Sequence, residues 1–346
     1  MTATTAASGT QPARTVLDIA TGTWRTQALY AAVALRLPDH VAAGHTTSAE
    51  LAARASADPD ALIRLMRVLV ALGVFGGDDR TGYRLTPVSE LLRSDVPGSM
   101  RDMCLMYGEE FHRAWGVTAT AVRTGQAGFE HAFGRTLHEY LAEESGAGPK
   151  FLRAMNAGSV FFSDVPRAYD FTGCRTVTDL AGGSGLLLST VLRACPGVRG
   201  VLFDRAHMVP VAEEHLAATV PPDRYDVVVG DFFESVPGGS DVYLLSRILQ
   251  DWDDSACITL LTNVRRAMPG QHARLLILER VIAEDGSTVL PPLFDLHLML
   301  MAGGRERTLT GYRSILAGAG LRLESVHDLA LETSLLVAAP AGRESA

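Results

Sequence analysis

Hydrophobic positions along this chain repeat with helical spacing in its first half and with strand spacing in its second. From Val16 to Val41 the apolar residues Ile19, Leu29, Ala32, Leu35 and Leu37 are interspersed with small residues, which predicts one or two helices with a wide apolar face. Thr47-Ser48-Ala49-Glu50 carries a capping signal for the next helix, and Asp58-Pro59-Asp60 starts another that runs through Leu62, Leu65, Val68 and Leu72. The glycines and aspartates of 76–82 suit a hairpin tip, and Tyr83-Arg84-Leu85-Thr86 reads as its return strand. Helices followed by a two-stranded wing form a winged-helix pattern.

Residues 98–165 predict a second helical stretch, with Met103, Met106, Tyr107, Phe111, His112, Trp115, Phe129, Phe133, Met155 and Phe162 at mostly core-like spacing. From Thr176 onward, short β-branched runs alternate with helical patterns, and strands are expected at 176–180, 200–203, 225–229, 242–246, 274–278 and 335–338. That alternation predicts an α/β fold with a doubly wound, Rossmann-like sheet behind the winged-helix segment. The expected divisions are a winged-helix domain at 13–100, a helical linker at 101–170 and a ligand-binding α/β domain at 171–340. Residues 1 to about 12 show no periodicity and are expected to be disordered.

Composition narrows the partners. With 346 residues, 47% of them hydrophobic and 20% charged, the chain suits about two soluble domains. Its formal net charge of −8, and a would-be recognition helix with only Arg64 and Arg67, disfavour nucleic acid. Apolar helix faces without that basic surface point instead to a homodimer. Cys104, Cys174, Cys195 and Cys257 are too scattered for a zinc cluster or a disulfide framework. With neither a membrane span nor a signal-peptide core in sight, the expectation is a cytoplasmic protein acting on a small molecule, not on membranes.

Candidate chemistry centres on Asp179 and the glycines that follow it. Gly182, Gly183 and Gly185 let backbone approach a ligand where a Cβ would collide. Asp204 ends the next strand roughly 20 residues later, where such folds place a carboxylate for a ribose hydroxyl. Ligands in these sheets sit beyond the carboxyl ends of the strands, which adds 230–233, 246–252, Glu279 and Arg280 to the suspects.

Four motifs then occur in order: Asp-x-x-Gly-Gly-x-Gly at 179–185, Gly-Asp-Phe-Phe at 230–233, Asp-Trp-Asp-Asp at 251–254 and Gly-Gly-Arg-Glu-Arg-Thr at 303–308. Together they resemble the S-adenosylmethionine-dependent O-methyltransferases of the plant caffeate and bacterial antibiotic-tailoring type, over nearly the whole chain. The resemblance implies that Gly183 and Gly185 cradle the methionine part of the cofactor, Asp204 holds the ribose, and Asp231 and Phe232 frame the adenine. Ser246 and Trp252 complete the pocket, and Asp179, Gly182 and Arg247 join the cofactor set.

Two departures stand out. Ala181 occupies a position where the family usually has another glycine, and Gln250 stands where hydroxyl-methylating members carry a histidine base. An amide cannot take a proton near neutral pH. One reading makes Gln250 a polar wall of the acceptor pocket. The sharper reading joins Gln250 and Asp251 to His297 as three ligands of a divalent metal, zinc or iron, which would stabilise the enolate of a 2-oxo acid for methylation at its β-carbon. That arrangement resembles the α-keto acid C-methyltransferases related to the family. Glu279 and Glu306 resemble positions that flank and orient the family's histidine; without it they are relics or orient Gln250 or His297, and Glu306, between Arg305 and Arg307, could equally be a structural ion pair. Alternatives to C-methylation are O-methylation of a phenolic or other hydroxyl, and an enzyme that keeps the cofactor without transferring methyl.

Overall fold

The computed structural model describes residues 11–342 and divides them into two compact units. Of the segment expected to be disordered, Gln11 and Pro12 open a helix, and the rest lies outside the described residues. The first unit runs to Gly116 and takes in Leu141–Gly158; the second comprises Val117–Tyr140 and everything from Ser159 onward.

In the first unit, helices Gln11–Ala20, Gly22–Ala34, Leu37–Ala42, Ser48–Ala55 and Pro59–Ala71 precede a hairpin of β1 (Phe75–Asp78) and β2 (Gly82–Leu85). Local chemistry sets their starts. Thr47 Oγ1 accepts from the Glu50 N–H while the Glu50 carboxylate accepts from the Thr47 N–H, a complete capping box, and Asp58 accepts from the Ala61 N–H ahead of Pro59. Leu37, Leu51, Leu62, Met66, Leu69 and Phe75 are fully buried together. Val68, Leu72, Val88 and Leu91, by contrast, leave their apolar side chains exposed.

The second unit is built on a seven-stranded sheet. Its strands are β3 (Thr176–Leu180), β4 (Arg199–Asp204), β5 (Tyr225–Val229), β6 (Val242–Ser246) and β7 (Arg274–Glu279), then β10 (Leu321–Leu329) and β11 (Thr333–Pro340). Between the last two groups, β8 (Val281–Ile282) and β9 (Arg307–Thr308) form a small parallel pair of their own. The sheet order is β10-β11-β7-β6-β3-β4-β5, parallel from β7 to β5 and antiparallel at β10 and β11. Period-two alternation sends Leu202, Leu244 and Leu276 to one face, with Leu188 and Leu216, and Leu245, Leu275 and Ile277 to the other, with Leu260 and Tyr312. Chain connections leave β3 in one direction and β6 in the other, so a crevice opens at their carboxyl ends. Sequence reading places one strand at the C-terminal end where the structure has two. The polar and apolar alternation of β10 breaks past a register shift between Leu323 and Ser325, leaving Val326 on the exposed side and the polar Ser325 and His327 on the half-buried one.

Candidate active site

The glycine turn after β3 is shaped by its neighbours. A Cβ on Gly182 would lie 2.9 Å from the Asp179 carboxyl carbon, and one on Gly185 would press on Leu216 and Leu202, whereas Gly183, at φ +58°, faces open space. Asp204, at the end of β4, accepts the Gly183 N–H at 2.9 Å with one oxygen and the Arg205 N–H at 2.7 Å with the other. Asp179 is buried, and one of its carboxylate oxygens has no hydrogen-bond partner among the described residues. Burial, with the Asp204 charge nearby, raises the Asp179 carboxyl to about 8.

Ala181 and Arg247 directly follow β3 and β6, and both adopt left-handed backbone, at φ +52° and +54°. The Ala181 N–H still bonds Phe203 O at 2.7 Å and the Arg247 N–H bonds Leu278 O at 3.0 Å, so each ladder closes before the chain turns sharply away. Such strain in non-glycine residues gathers at functional sites. Arg247 donates to Ser159 Oγ at 2.7 Å and lies over the Phe161 and Phe162 rings, so it anchors the segment before β3.

Beyond β5, Asp231 accepts from the Phe233 N–H and pairs with Arg205 at 2.9 Å. Gly230 lies against the Phe203 ring, where a Cβ would come within 2.4 Å. Asn263 clamps the carbonyls of Phe232 and Phe233, whose rings meet Trp252 edge-on at 6.4 and 4.8 Å. Flat aromatic edges and a carboxylate thus share one end of the sheet. Asn263 and Arg205 carry no motif of their own and are found only through these contacts.

Past β6, Gln250 and Asp251 sit in a 3₁₀ turn, Leu249–Asp251. Glu279, the last residue of β7, accepts the N–H groups of Ile248 and Leu249 at 2.9 Å with one oxygen, and so holds that turn. Arg307, buried, donates to Leu249 O and Trp252 O at 2.7 Å each and pairs with Asp254. The Arg305 N–H donates to Gln250 O at 2.7 Å, and the Glu306 N–H to Asp295 Oδ1 at 2.9 Å. Asp251 is exposed to solvent on one side, yet protein atoms crowd it on the others, and that crowding raises its carboxyl to about 6. Glu279 and Glu306 are both buried and both raised, by desolvation first; Asp251 adds repulsion at Glu279, and Glu279, Asp295 and Asp251 add it at Glu306.

His297 lies on the helix Leu290–Ala302, its ring 5.9 Å from that of Phe294, over which the Arg280 guanidinium stacks at 3.6 Å. Burial and the Arg280 charge lower the imidazole to about 4. The expected metal face of Gln250, Asp251 and His297 is therefore not supported. A guanidinium beside His297 repels a further cation. Among the described residues no group of three or more His, Cys, Asp or Glu side chains is arranged to hold a metal ion.

Residues 17–95 match the O-methyltransferase dimerisation domain, and residues 115–322 match the O-methyltransferase domain. The chain is 44% identical to 3-amino-4-hydroxybenzoate 4-O-methyltransferase of Streptomyces cremeus, over 94% of its own length and 89% of that protein's. It is 42% identical to phenazine-1-carboxylate N-methyltransferase of Pseudomonas aeruginosa, over 95% and 98%. CalO1, a methyltransferase in calicheamicin biosynthesis solved in its SAH-bound form, superposes with a TM-score of 0.86 at 34% identity, over 96% of this chain and 99% of that one. These relatives are named for transfer to oxygen or nitrogen, so they do not support C-methylation of a 2-oxo acid either.

Proposed function

The chain belongs to the O-methyltransferase family, and from that premise we propose that it transfers the methyl group of S-adenosylmethionine to a hydroxyl oxygen or a ring nitrogen of a small aromatic acceptor. When bound, the cofactor supplies an electrophilic methyl on a sulfonium sulfur. The residues at the carboxyl ends of β3 to β6 fit such a group. The buried Asp179 oxygen and Ser246 Oγ lack partners among the described residues, and a cofactor rich in polar groups would satisfy them. Asp204 would accept from the ribose hydroxyls, Asp231 and Phe232 would frame the adenine, and Gly183 and Gly185 would lie along the methionine part. Trp252 would wall the base through its contacts with Phe232 and Phe233.

The observation that carries the acceptor class is the pairing of the two relatives, one named for an aromatic hydroxyl and one for a phenazine carboxylate, with a turn that offers glutamine at position 250. A ring nitrogen attacks through its lone pair and releases no proton, so an amide there is tolerated; a hydroxyl acceptor needs its base elsewhere. The match of residues 17–95 and the exposed apolar side chains of Val88 and Leu91 support a homodimer.

The test is incubation with methyl-labelled S-adenosylmethionine and either 3-amino-4-hydroxybenzoate or phenazine-1-carboxylate. Label in either product is expected. Tight cofactor binding with no label in either acceptor would overturn this acceptor class.

A further inference from the structure

Glutamine at position 250 leaves a hydroxyl acceptor without the expected base, yet three carboxylates converge beside it from separate segments. Asp251 comes from the 3₁₀ turn, Glu279 from the end of β7, and Glu306 from the loop that leads into β9. That loop is pressed onto Gln250: the Arg305 N–H bonds Gln250 O at 2.7 Å, and a Cβ on Gly304 would lie 2.5 Å from the same oxygen. Glu306 is 4% exposed, and neither of its carboxylate oxygens has a hydrogen-bond partner among the described residues. Glu279 is fully buried, with one oxygen committed to the N–H groups of Ile248 and Leu249 and the other unpartnered. A buried carboxylate with both oxygens unsatisfied is rare in folded proteins and needs a reason.

We propose that Glu306 is the proton acceptor for a hydroxyl substrate, with Glu279 positioned behind it. This rests on the methyltransferase reading above and deepens it. In the step, the acceptor O–H breaks and its proton goes to a Glu306 oxygen. The freed electron pair forms the new C–O bond to the methyl carbon, and the C–S bond breaks with its pair left on sulfur. The products are the methyl ether, the demethylated cofactor and protonated Glu306, so charge and atoms balance.

The groups around Glu306 fit the role. Glu279 and Asp251 repel its charge, as does Asp295 on helix Leu290–Ala302, while Arg280 favours it. Tyr312, buried on helix Leu309–Gly318, also feels it and is held neutral well above its ordinary range. Glu279 and Glu306, both buried, do not readily carry charge at the same time. The ionised fraction of Glu306 is small at neutral pH and grows as pH rises, and a carboxylate that ionises reluctantly is a correspondingly strong base.

The decisive comparison uses two acceptors on the full-length enzyme. For 3-amino-4-hydroxybenzoate, Glu306→Gln should lower kcat at least about 100-fold, leave KM little changed and abolish the rise of rate with pH. For the ring nitrogen of phenazine-1-carboxylate, which yields no proton, the same change should lower kcat by a factor at least about tenfold smaller than for the hydroxyl. Adding Gln250→His to Glu306→Gln should restore hydroxyl transfer. Independently of turnover, infrared difference spectra of the unaltered protein should show a protonated-carboxyl band that Glu306→Gln removes. Hydroxyl transfer that survives Glu306→Gln, or loss of both activities together, would overturn the assignment. An unaltered enzyme that methylates only the ring nitrogen would overturn it too, while leaving the methyltransferase reading intact; one that methylates neither acceptor would overturn that reading instead.

Discussion

The Asp204 carboxylate accepts the Gly183 N–H at 2.9 Å, which ties the end of β4 to the glycine turn after β3. One side chain therefore shapes the turn at the place where the proposed cofactor would put its ribose diol. Asp204→Ala should weaken S-adenosylmethionine binding by the worth of a charge-assisted hydrogen bond, about 1.5–3 kcal/mol, or roughly ten- to hundredfold in Kd. Asp204→Asn should lose less, because the amide oxygen can still accept from Gly183. Calorimetric affinity unchanged in Asp204→Ala would remove Asp204 from the cofactor site.

Ala181 holds a left-handed backbone at φ +52° with a Cβ in place. That conformation costs about 1–2 kcal/mol for an L-residue, against about 0.5–1 kcal/mol of extra chain entropy that glycine brings to the unfolded state. Ala181→Gly should therefore raise stability modestly, by about 0.5–1 kcal/mol in urea denaturation. A lower midpoint in the glycine variant would show that Ala181 is not strained.

The pH dependence of stability follows from Asp179, whose carboxyl lies at about 8 in the fold against 3.8 ordinarily. The folded protein holds that proton more tightly than the unfolded chain. The resulting contribution is fully present below the unfolded value and is lost as pH rises through about 8. Asp179→Asn should flatten the decline in Tm between mildly acidic and alkaline pH. Parallel Tm profiles for the two proteins would show that Asp179 ionises normally.

Arg307 ties together the turn that carries Gln250 and Asp251 through Leu249 O, Trp252 O and Asp254. Arg307→Met keeps the volume and drops every donor, leaving two carbonyls short of partners. The loss should be about 3 kcal/mol or more, read as a lower urea midpoint, with both methyl-acceptor activities falling together. Full stability in that variant would mean that water replaces the arginine at no cost.

Val88 and Leu91 leave apolar side chains exposed on the first unit. Changing both to glutamate places two charges where a second copy is proposed to dock. The double variant should elute as a monomer in sizing with light scattering, and a dimer that persists would locate the subunit contact elsewhere.

What the sequence alone determined is what local spacing can encode. Thr47 and Glu50 three residues apart write a capping box, the glycines after Asp179 write a ligand-facing turn, and the interval to Asp204 writes one more turn of a doubly wound sheet. Family motifs follow the same strand ends, so the fold was legible without coordinates. Tertiary structure alone decided the rest. Residues 251, 279 and 306 are far apart along the chain, and only the placement of the 3₁₀ turn, β7 and the loop before β9 gathers them into one cluster. Arg280 beside His297 tells against the metal face for a similar reason: one residue ends a strand and the other rides a helix. Burial and through-space charge set the proton affinity of a side chain, and both depend on neighbours that the order of residues does not reveal.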